Sequence, residues 1–430
     1  MSDYQSRYKT FIFEDYSYNR AIDTAEFHYS FDGERHFTER VQFTTVSDYD
    51  QAILDKALWL AFLVIGTSYY KTFPTRQVVF ARHDVSERDA ELLNSVYHDG
   101  LSQFLFENNL TPDDMAVFSA GNKQDQPMSY SPKGTLLLQS GGKDSLLLST
   151  LLDQNNTTYS TMMVSSTDSY PSVLDDVGVG SPRIIKRIID HEALKQTAAD
   201  GGLNGHVPVT YIVLALALID AVLHGEHTIL AAIGNEGSEA HQWVGELAVN
   251  HQWSKSWAAE QLLADYVQTT ISPDIRVGSP LRSLSELRIA ELFVEKSWNK
   301  FGHRFSSCNL ANYMQGKNND ELRWCGECPK CANSFLLFAP FVEPIELKNI
   351  FGGINLFTKP SLLDTFKGLL GVDGVMKPFE CIGEIDELRK AYHMALDRGY
   401  EPLPFTVPQS NFDKDREYPS QSWASDTIEV

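Results

Sequence analysis

Thirteen residues, Leu136-Leu137-Leu138-Gln139-Ser140-Gly141-Gly142-Lys143-Asp144-Ser145-Leu146-Leu147-Leu148, restrict this chain more than any other stretch. The continuous apolar run after Lys133-Gly134 predicts a strand buried on both faces of a parallel sheet. Gly141 and Gly142 then allow a sharp turn that presents backbone N–H groups with no side chain in the way. Asp144 and Ser145 fall where the next helix begins, so its positive end faces the turn and a phosphate is the natural occupant. The plainer alternative is a tight strand-to-helix turn with no ligand.

Composition narrows the partners. With 36 basic and 57 acidic side chains the formal charge is −21, a balance that repels polyphosphate backbones and argues for a small substrate rather than nucleic acid. The 430 residues, 43% of them hydrophobic, suffice for two or three domains with cores of their own. Met1–Thr10 has no apolar h-region, and no charge-free run is long enough to span a bilayer; Val207–Ile219 ends at Asp220 and reads as a buried helix. No export signal and no membrane partner are therefore expected. Three of the five cysteines form a Cys-x-x-Cys-x-x-Cys cluster, which fits a metal site in a reducing compartment, so the cytoplasm is the expected location.

Read in order, the chain predicts an α/β protein in four parts. An N-terminal α+β unit (1–130) opens with aromatic residues alternating with polar ones about Asp32-Gly33, a hairpin signal. It continues with a helix capped by Ser47 or Asp50, a strand at 77–80, and a second helix from about Glu87 to Phe106. Residues 131–305 alternate strands and helices as a doubly wound parallel sheet does, with strands at 136–139, 158–164, 184–189 and 228–233. The last of these strands runs into Gly234-Asn235-Glu236-Gly237-Ser238-Glu239, at the end where this architecture places ligands. Aromatic-rich helices are expected across 239–270. There His241-Gln242-Trp243 and His251-Gln252-Trp253 recur ten residues apart, so the histidines would share one helix face, for acid/base work or simply for packing. Ser283-Leu284-Ser285-Glu286 predicts a capped helix. Residues 306–408 carry the cysteine cluster and a helical extension that includes a helix at 384–397, and 409–430 read as a disordered tail.

Cys325, Cys328 and Cys331, with Cys308 as a fourth thiolate, make the tetrahedral set that a structural zinc prefers. An iron–sulfur cluster would use the same four residues, and buried thiols without metal are the third alternative. Cys381 stands apart, either as a reactive thiol or as a small core residue.

Ser140-Gly141-Gly142-Lys143-Asp144-Ser145 resembles the Ser-Gly-Gly-x-Asp-Ser signature of the PP-loop ATP pyrophosphatases, whose sheet is of the adenine nucleotide alpha-hydrolase type. The loop, the four cysteines and Pro280-Leu281 together are similar to the 7-cyano-7-deazaguanine synthases, over about 134–338 only. The full layout resembles the MurL-type UDP-N-acetylmuramoyl-L-alanyl-L-glutamate epimerases: the aromatic N-terminal β region, the loop a third of the way along, Trp324-Cys325-Gly326-Glu327-Cys328-Pro329-Lys330-Cys331, and Pro378-Phe379-Glu380-Cys381. That resemblance implies ATP and Mg2+, a UDP-sugar dipeptide substrate, and conversion of its terminal L-glutamate to D-glutamate through an acyl-adenylate, with release of AMP and pyrophosphate. Ser140, Gly141, Gly142 and Ser145 would then cradle the pyrophosphate, Lys143 offset its charge, and Asp144 help hold magnesium, for which Glu236 and Glu239 are further candidates. Proton transfer is left among Cys381, His206, His241 and His251. Another carboxylate-adenylating or tRNA-modifying PP-loop enzyme and a non-catalytic ATP sensor are the alternatives.

Overall fold

The computed structural model describes residues 5–44, 48–314 and 320–428; of the two caps expected for the first helix, Ser47 lies outside these and Asp50 is the one observed, accepting from Ala52 N and Ile53 N. The strands are β1 (Thr10–Asn19), β2 (Thr24–Phe31), β3 (Arg35–Gln42), β4 (Gln77–Phe80), β5 (Thr135–Leu138), β6 (Ser160–Ser165), β7 (Arg183–Ile188), β8 (Thr228–Leu230), β9 (Gln242–Val244), β10 (Leu247–Val249) and β11 (Arg276–Gly278). The helices are α1 (Gln51–Ile65), α2 (Thr67–Tyr70), α3 (Glu87–His98), α4 (Ser102–Glu107), α5 (Lys143–Gln154), α6 (His191–Ala199), α7 (Val209–Leu223), α8 (Trp257–Tyr266), α9 (Glu286–Lys296), α10 (Trp298–Phe301), α11 (Pro329–Phe338), α12 (Pro344–Ile350), α13 (Leu363–Leu369) and α14 (Ile385–Asp397).

Nine strands form one mixed sheet in the order β11-β8-β5-β6-β7-β3-β2-β1-β4. The first five run parallel, and numbered in chain order among themselves they read 5-4-1-2-3. The apolar run at Leu136 is explained by alternation. Leu136, Met162, Ile185 and Ile229 enter a core shared with α1, α7 and α8, while Leu137, Met163 and Leu230 enter a second core with α5, α9, α11 and α14. The other four strands bury one face, through Phe11, Phe13, Phe27, Tyr29, Phe31 and Phe37, against α1 and α2. The helical run Gln51–Tyr70 is long and apolar enough to cross a membrane, but 83% of its apolar window is buried in this core.

Several expectations are corrected. The helix expected from Glu87 to Phe106 is two, broken at Asp99-Gly100-Leu101. Between Glu239 and Thr270 the first element is not a helix but the β9–β10 hairpin, closed by Gly245-Glu246 with Gly245 at φ +60°, a conformation for which glycine is suited. The end of the chain is not a disordered tail. Trp423, Ala424 and Ile428 are buried, Tyr418 N donates to Ser283 O at 3.0 Å, and Ser285 Oγ donates to Lys414 O at 2.8 Å. Its polar composition concealed three apolar anchors.

The strands expected in two separate units meet where β3 pairs antiparallel with β7. Beneath this seam Glu39, fully buried, accepts from Arg187 Nε at 2.7 Å and from Tyr69 Oη at 2.9 Å, and Arg187 also donates to Ser68 Oγ at 2.9 Å. Removing one partner of a buried pair strands the other's charge. Glu39→Ala should therefore lower the unfolding free energy by about 3–5 kcal/mol in urea titrations, and a loss below about 1 kcal/mol would show that the seam does not depend on the pair.

Candidate functional site

The glycine turn is held from both sides. At the end of β5 the buried Gln139 side chain donates to Ser145 O at 2.8 Å and to Ser149 Oγ at 2.6 Å, tying the strand to the first turns of α5. Ser140 is exposed at the crest. Gly141 sits at φ +75°, a conformation that favours glycine, and Leu322 Cδ1 lies where a Cβ would point, 2.4 Å away. Gly142 is the N-cap of the 12-residue α5 and supplies no side-chain cap, which leaves first-turn N–H groups for a ligand. Ser145 Oγ lies 3.3 Å from Gly142 O. Lys143 points inward, with its Nζ 2.5 Å from both Asp144 Oδ1 and Glu286 Oε2. Burial opposes the lysine charge, but the two carboxylates overcome it and hold its pKa above the usual lysine value. Glu286 opens α9 behind the Ser285 cap; burial pushes its pKa up, with Asp144 and Glu236 adding to the effect, and its Oε1 is buried without a partner.

A second cluster abuts the first. Arg282, completely buried, donates through Nη1 to Gly234 O at 2.6 Å and Lys255 O at 2.8 Å, while its Nε and Nη2 both donate to Glu260. It thereby fixes the two backbone segments that present Glu236 and Lys255, whose side chains pair at 2.9 Å. Glu239 pairs with Lys377 Nζ at 2.5 Å and accepts from Ile385 N at 3.1 Å, so it anchors the 377–385 segment. That segment is pinned on both sides of Cys381: Asn309 Nδ2 donates to Glu380 Oε2 at 2.9 Å, Gln252 Nε2 to Ile382 O at 2.8 Å, and Gly383 N to Asn333 Oδ1 at 3.0 Å. Burial raises the Cys381 pKa, but the charges of Lys255 and Lys330 and the neighbouring His251 outweigh it, and the thiol is lowered to about 6. The two clusters share one field. Lys143 acts on Glu236 as well as Glu286, and Lys255 is acted on by Asp144 as well as Cys381.

The three candidate histidines converge here, by a route other than the expected helix. The β9–β10 hairpin folds His241 back beside His251, with ring centroids 6.0 Å apart, and His206 stands 4.5 Å from His251. Burial lowers His241 to about 3, helped by Lys377 and His251, and lowers His206 to about 3, helped by His251 and Lys71. Both are neutral at neutral pH. His251 Nδ1 lies 2.6 Å from Gln103 Oε1. Lys255, Arg282, Glu286, Lys330 and Lys377 also belong to the site, although no sequence motif marks them as functional. Only Glu286, in the cap motif, and Lys330, between two cluster cysteines, carried a local signal.

Cys308, Cys325, Cys328 and Cys331 bring their sulfurs within 4.8 Å of one another, with Cys308–Cys328, Cys325–Cys331 and Cys328–Cys331 each 3.6 Å apart. Sulfurs about 2.3 Å from one tetrahedral ion stand nearly this far apart, so the set fits a structural metal such as zinc. A multi-iron cluster lying between the thiolates would hold them farther apart. Gly326 N and Glu327 N each donate to a cluster sulfur at 3.3 Å, as outer-shell partners do. The module leans on the glycine turn: Ser306 N donates to Gly141 O at 3.2 Å, and Leu322 is the side chain that packs on Gly141.

Elemental analysis of the purified protein should find about one zinc-class ion per chain, and Cys331→Ala should lose it together with thermal stability; protein lacking stoichiometric metal would overturn the assignment. Alkylation of Cys381 by iodoacetamide should rise with pH about a midpoint near 6. In Lys255→Met and in Lys330→Met that midpoint should move up by roughly a pH unit or more, and an unmoved midpoint in both would remove the lysines as its cause.

Two family models match the chain. The MurL N-terminal domain covers residues 2–279, which takes in the whole sheet and the glycine turn, and the MurL C-terminal domain covers residues 304–402, which takes in all five cysteines. Curated proteins similar to it bear the name UDP-N-acetyl-alpha-D-muramoyl-L-alanyl-L-glutamate epimerase. That of Xanthomonas oryzae is 32% identical over 352 residues, 80% of this chain and 75% of the relative. Those of Salinispora tropica and a Micromonospora species are 32% and 33% identical over 89% of this chain, and 83% and 85% of their own lengths. Matched in order by both models, and over three quarters or more of each relative, the chain belongs to the MurL family.

Proposed function

We propose that this protein is an epimerase of peptidoglycan precursor synthesis, converting the terminal L-glutamate of UDP-N-acetylmuramoyl-L-alanyl-L-glutamate, the compound in its relatives' name, to D-glutamate. What supports the mechanism is the row of ion pairs beside the glycine turn, Lys143 with Asp144 and Glu286 and Lys255 with Glu236, next to the pinned segment that carries Cys381. The parallel strands, with helices on both faces, support reading residues 131–305 as a doubly wound nucleotide domain, with 306–408 as a metal-bearing module against it. The five free thiols fit the cytoplasm, where this precursor chemistry would take place.

The α-hydrogen of a carboxylate resists removal, because the carbanion would place a second negative charge beside the first. ATP, when bound, supplies the adenylyl group that turns the carboxylate into a mixed anhydride whose acyl group carries no charge, with pyrophosphate leaving. Backbone N–H groups of the 140–142 turn and the start of α5, with the Ser140 and Ser145 hydroxyls, receive the phosphates. Asp144 and Glu236, each paired with one lysine, would exchange that partner to hold magnesium, while Glu239, bound by both Lys377 and Ile385 N, would serve as an anchor. Lys143 stabilises the charge of the departing phosphates from its carboxylate nest. The Cys381 thiolate takes the α-hydrogen, Lys255 offsets the negative charge that develops on the acyl oxygen, and another group of the cluster returns a proton to the opposite face. Water then cleaves the anhydride, releasing AMP and the D-epimer.

The test is incubation with ATP, Mg2+ and the UDP-sugar dipeptide, followed by nucleotide analysis and chiral analysis of the hydrolysed glutamate. AMP, pyrophosphate and D-glutamate are expected, and wild-type protein giving no D-glutamate would reject the reading. Cys381→Ala should lose epimerisation by about 10²–10⁴-fold while still releasing AMP, and full epimerisation by this variant would remove the thiol from the mechanism. Because the thiolate is the working form, kcat/KM should fall as the pH drops through about 6.

A further inference from the structure

We infer that Gln103 is a positioning residue for proton transfer: gripped by Glu107, its amide carbonyl holds the Nδ1–H of His251 and leaves Nε2 of that ring open to receive the Cys381 proton. The inference rests on the reading of Cys381 as the working thiol.

The break between α3 and α4 brings Gln103 to the site. A Cβ at Gly100 would stand 3.1 Å from the Trp253 ring, so the chain turns tightly against the indole and α4 starts beside residues 250–253. Two bonds then run in register. Ser102 Oγ accepts from Asn250 N at 3.1 Å, and Gln103 Oε1 accepts from His251 Nδ1 at 2.6 Å. One turn later, on the same helix face, Glu107 Oε1 accepts from Gln103 Nε2 at 2.7 Å. The helix also reaches the thiol segment, where Phe106 meets Phe379 edge to face, two residues before Cys381, with ring centroids 5.7 Å apart. His251 and Cys381 are brought together by their chain neighbours, because Gln252 Nε2 donates to Ile382 O at 2.8 Å, and His251 is among the groups that lower the thiol.

Charge fixes the direction of these bonds. A carboxylate has no hydrogen to give, so the Gln103 amide turns its NH2 to Glu107 and its oxygen to the ring. An amide oxygen only accepts, so Nδ1 carries the ring hydrogen and Nε2 is the basic nitrogen. His206 and His241 do not compete for a proton, since burial chiefly holds each at about 3. Once the thiolate has taken the α-hydrogen, the S–H bond breaks again. Its electron pair stays on sulfur, the proton passes to Nε2, and the imidazolium, with Nδ1–H still on Gln103, releases a proton to water. Gln103 touches no reacting atom; it sets which ring nitrogen is basic.

Nitrogen-15 NMR of histidine-labelled protein at about pH 9, above the usual histidine range, reads the tautomer directly, with His251→Gln identifying the signal. In the wild type His251 should carry its proton on Nδ1, and in Gln103→Leu that proton should leave Nδ1 for Nε2. A bare Nδ1 in the wild type, or an unmoved proton in the variant, would overturn the inference. In turnover Gln103→Leu should lower kcat roughly ten- to a thousandfold with KM within about twofold. Gln103→Glu, made together with Glu107→Gln so that the acceptor returns without two like charges meeting, should recover the Nδ1 proton and most of kcat. A folded double variant that recovers neither would reduce Gln103 to a packing residue. Should the wild type form no D-glutamate, or Cys381→Ala keep full activity, the reading beneath the inference fails instead, and the nitrogen spectra still decide which ring nitrogen Gln103 holds.

Discussion

A charge completely removed from water survives only if the protein surrounds it with partners, and the guanidinium of Arg282 is the case on which this site depends. Its donors are divided among Glu260 and the carbonyls of Gly234 and Lys255, so a single side chain fixes two loops that come from distant parts of the sequence. Glu236 and Lys255 follow from that placement, and the charge on Lys255 helps keep the Cys381 thiol ionised against its burial. Lys143 repeats the arrangement beside the glycine turn, buried between Asp144 and Glu286. The site is thus a set of buried cations, each balanced by carboxylates. In a chain of net charge −21, Lys255 and Lys330 still favour the thiolate of Cys381 because they lie close to it.

The cysteine module belongs to this arrangement rather than standing beside it. One arm donates from Ser306 to Gly141 O, another packs Leu322 onto Gly141, and Lys330, between two of the cluster sulfurs, acts on Glu236 and Cys381. Asn333, one helical turn beyond Lys330 on α11, holds Gly383, two residues from Cys381. A metal held by the four thiols would therefore steady the turn and the Cys381 thiol together.

Local patterns were legible in the sequence and long-range ones were not. The strand, turn and helix at 135–154 and the Asp32-Gly33 hairpin carry their signals within a few residues, as does the close spacing of the cluster cysteines. The ten-residue repeat of His241 and His251 is ambiguous because three helical turns and a short hairpin return a side chain to nearly the same place, and Gly245, at φ +60°, closes the hairpin. Lys255, Arg282 and Lys377 resemble ordinary surface cations in sequence. Only the folded chain shows that each is matched to a carboxylate from a remote segment. The terminal segment misled in the opposite sense, since its polar residues outnumber Trp423, Ala424 and Ile428, which hold it down.

The pairing of β3 with β7 also bears on solubility. Two separate sheets would have four open borders, each a template on which a neighbouring molecule could add a strand, whereas the fused sheet has two. Both are short: β4 has four residues and β11 has three. Joining the aromatic meander to the parallel strands therefore guards against edge-to-edge association, in a chain whose longer strands would otherwise stand at an edge.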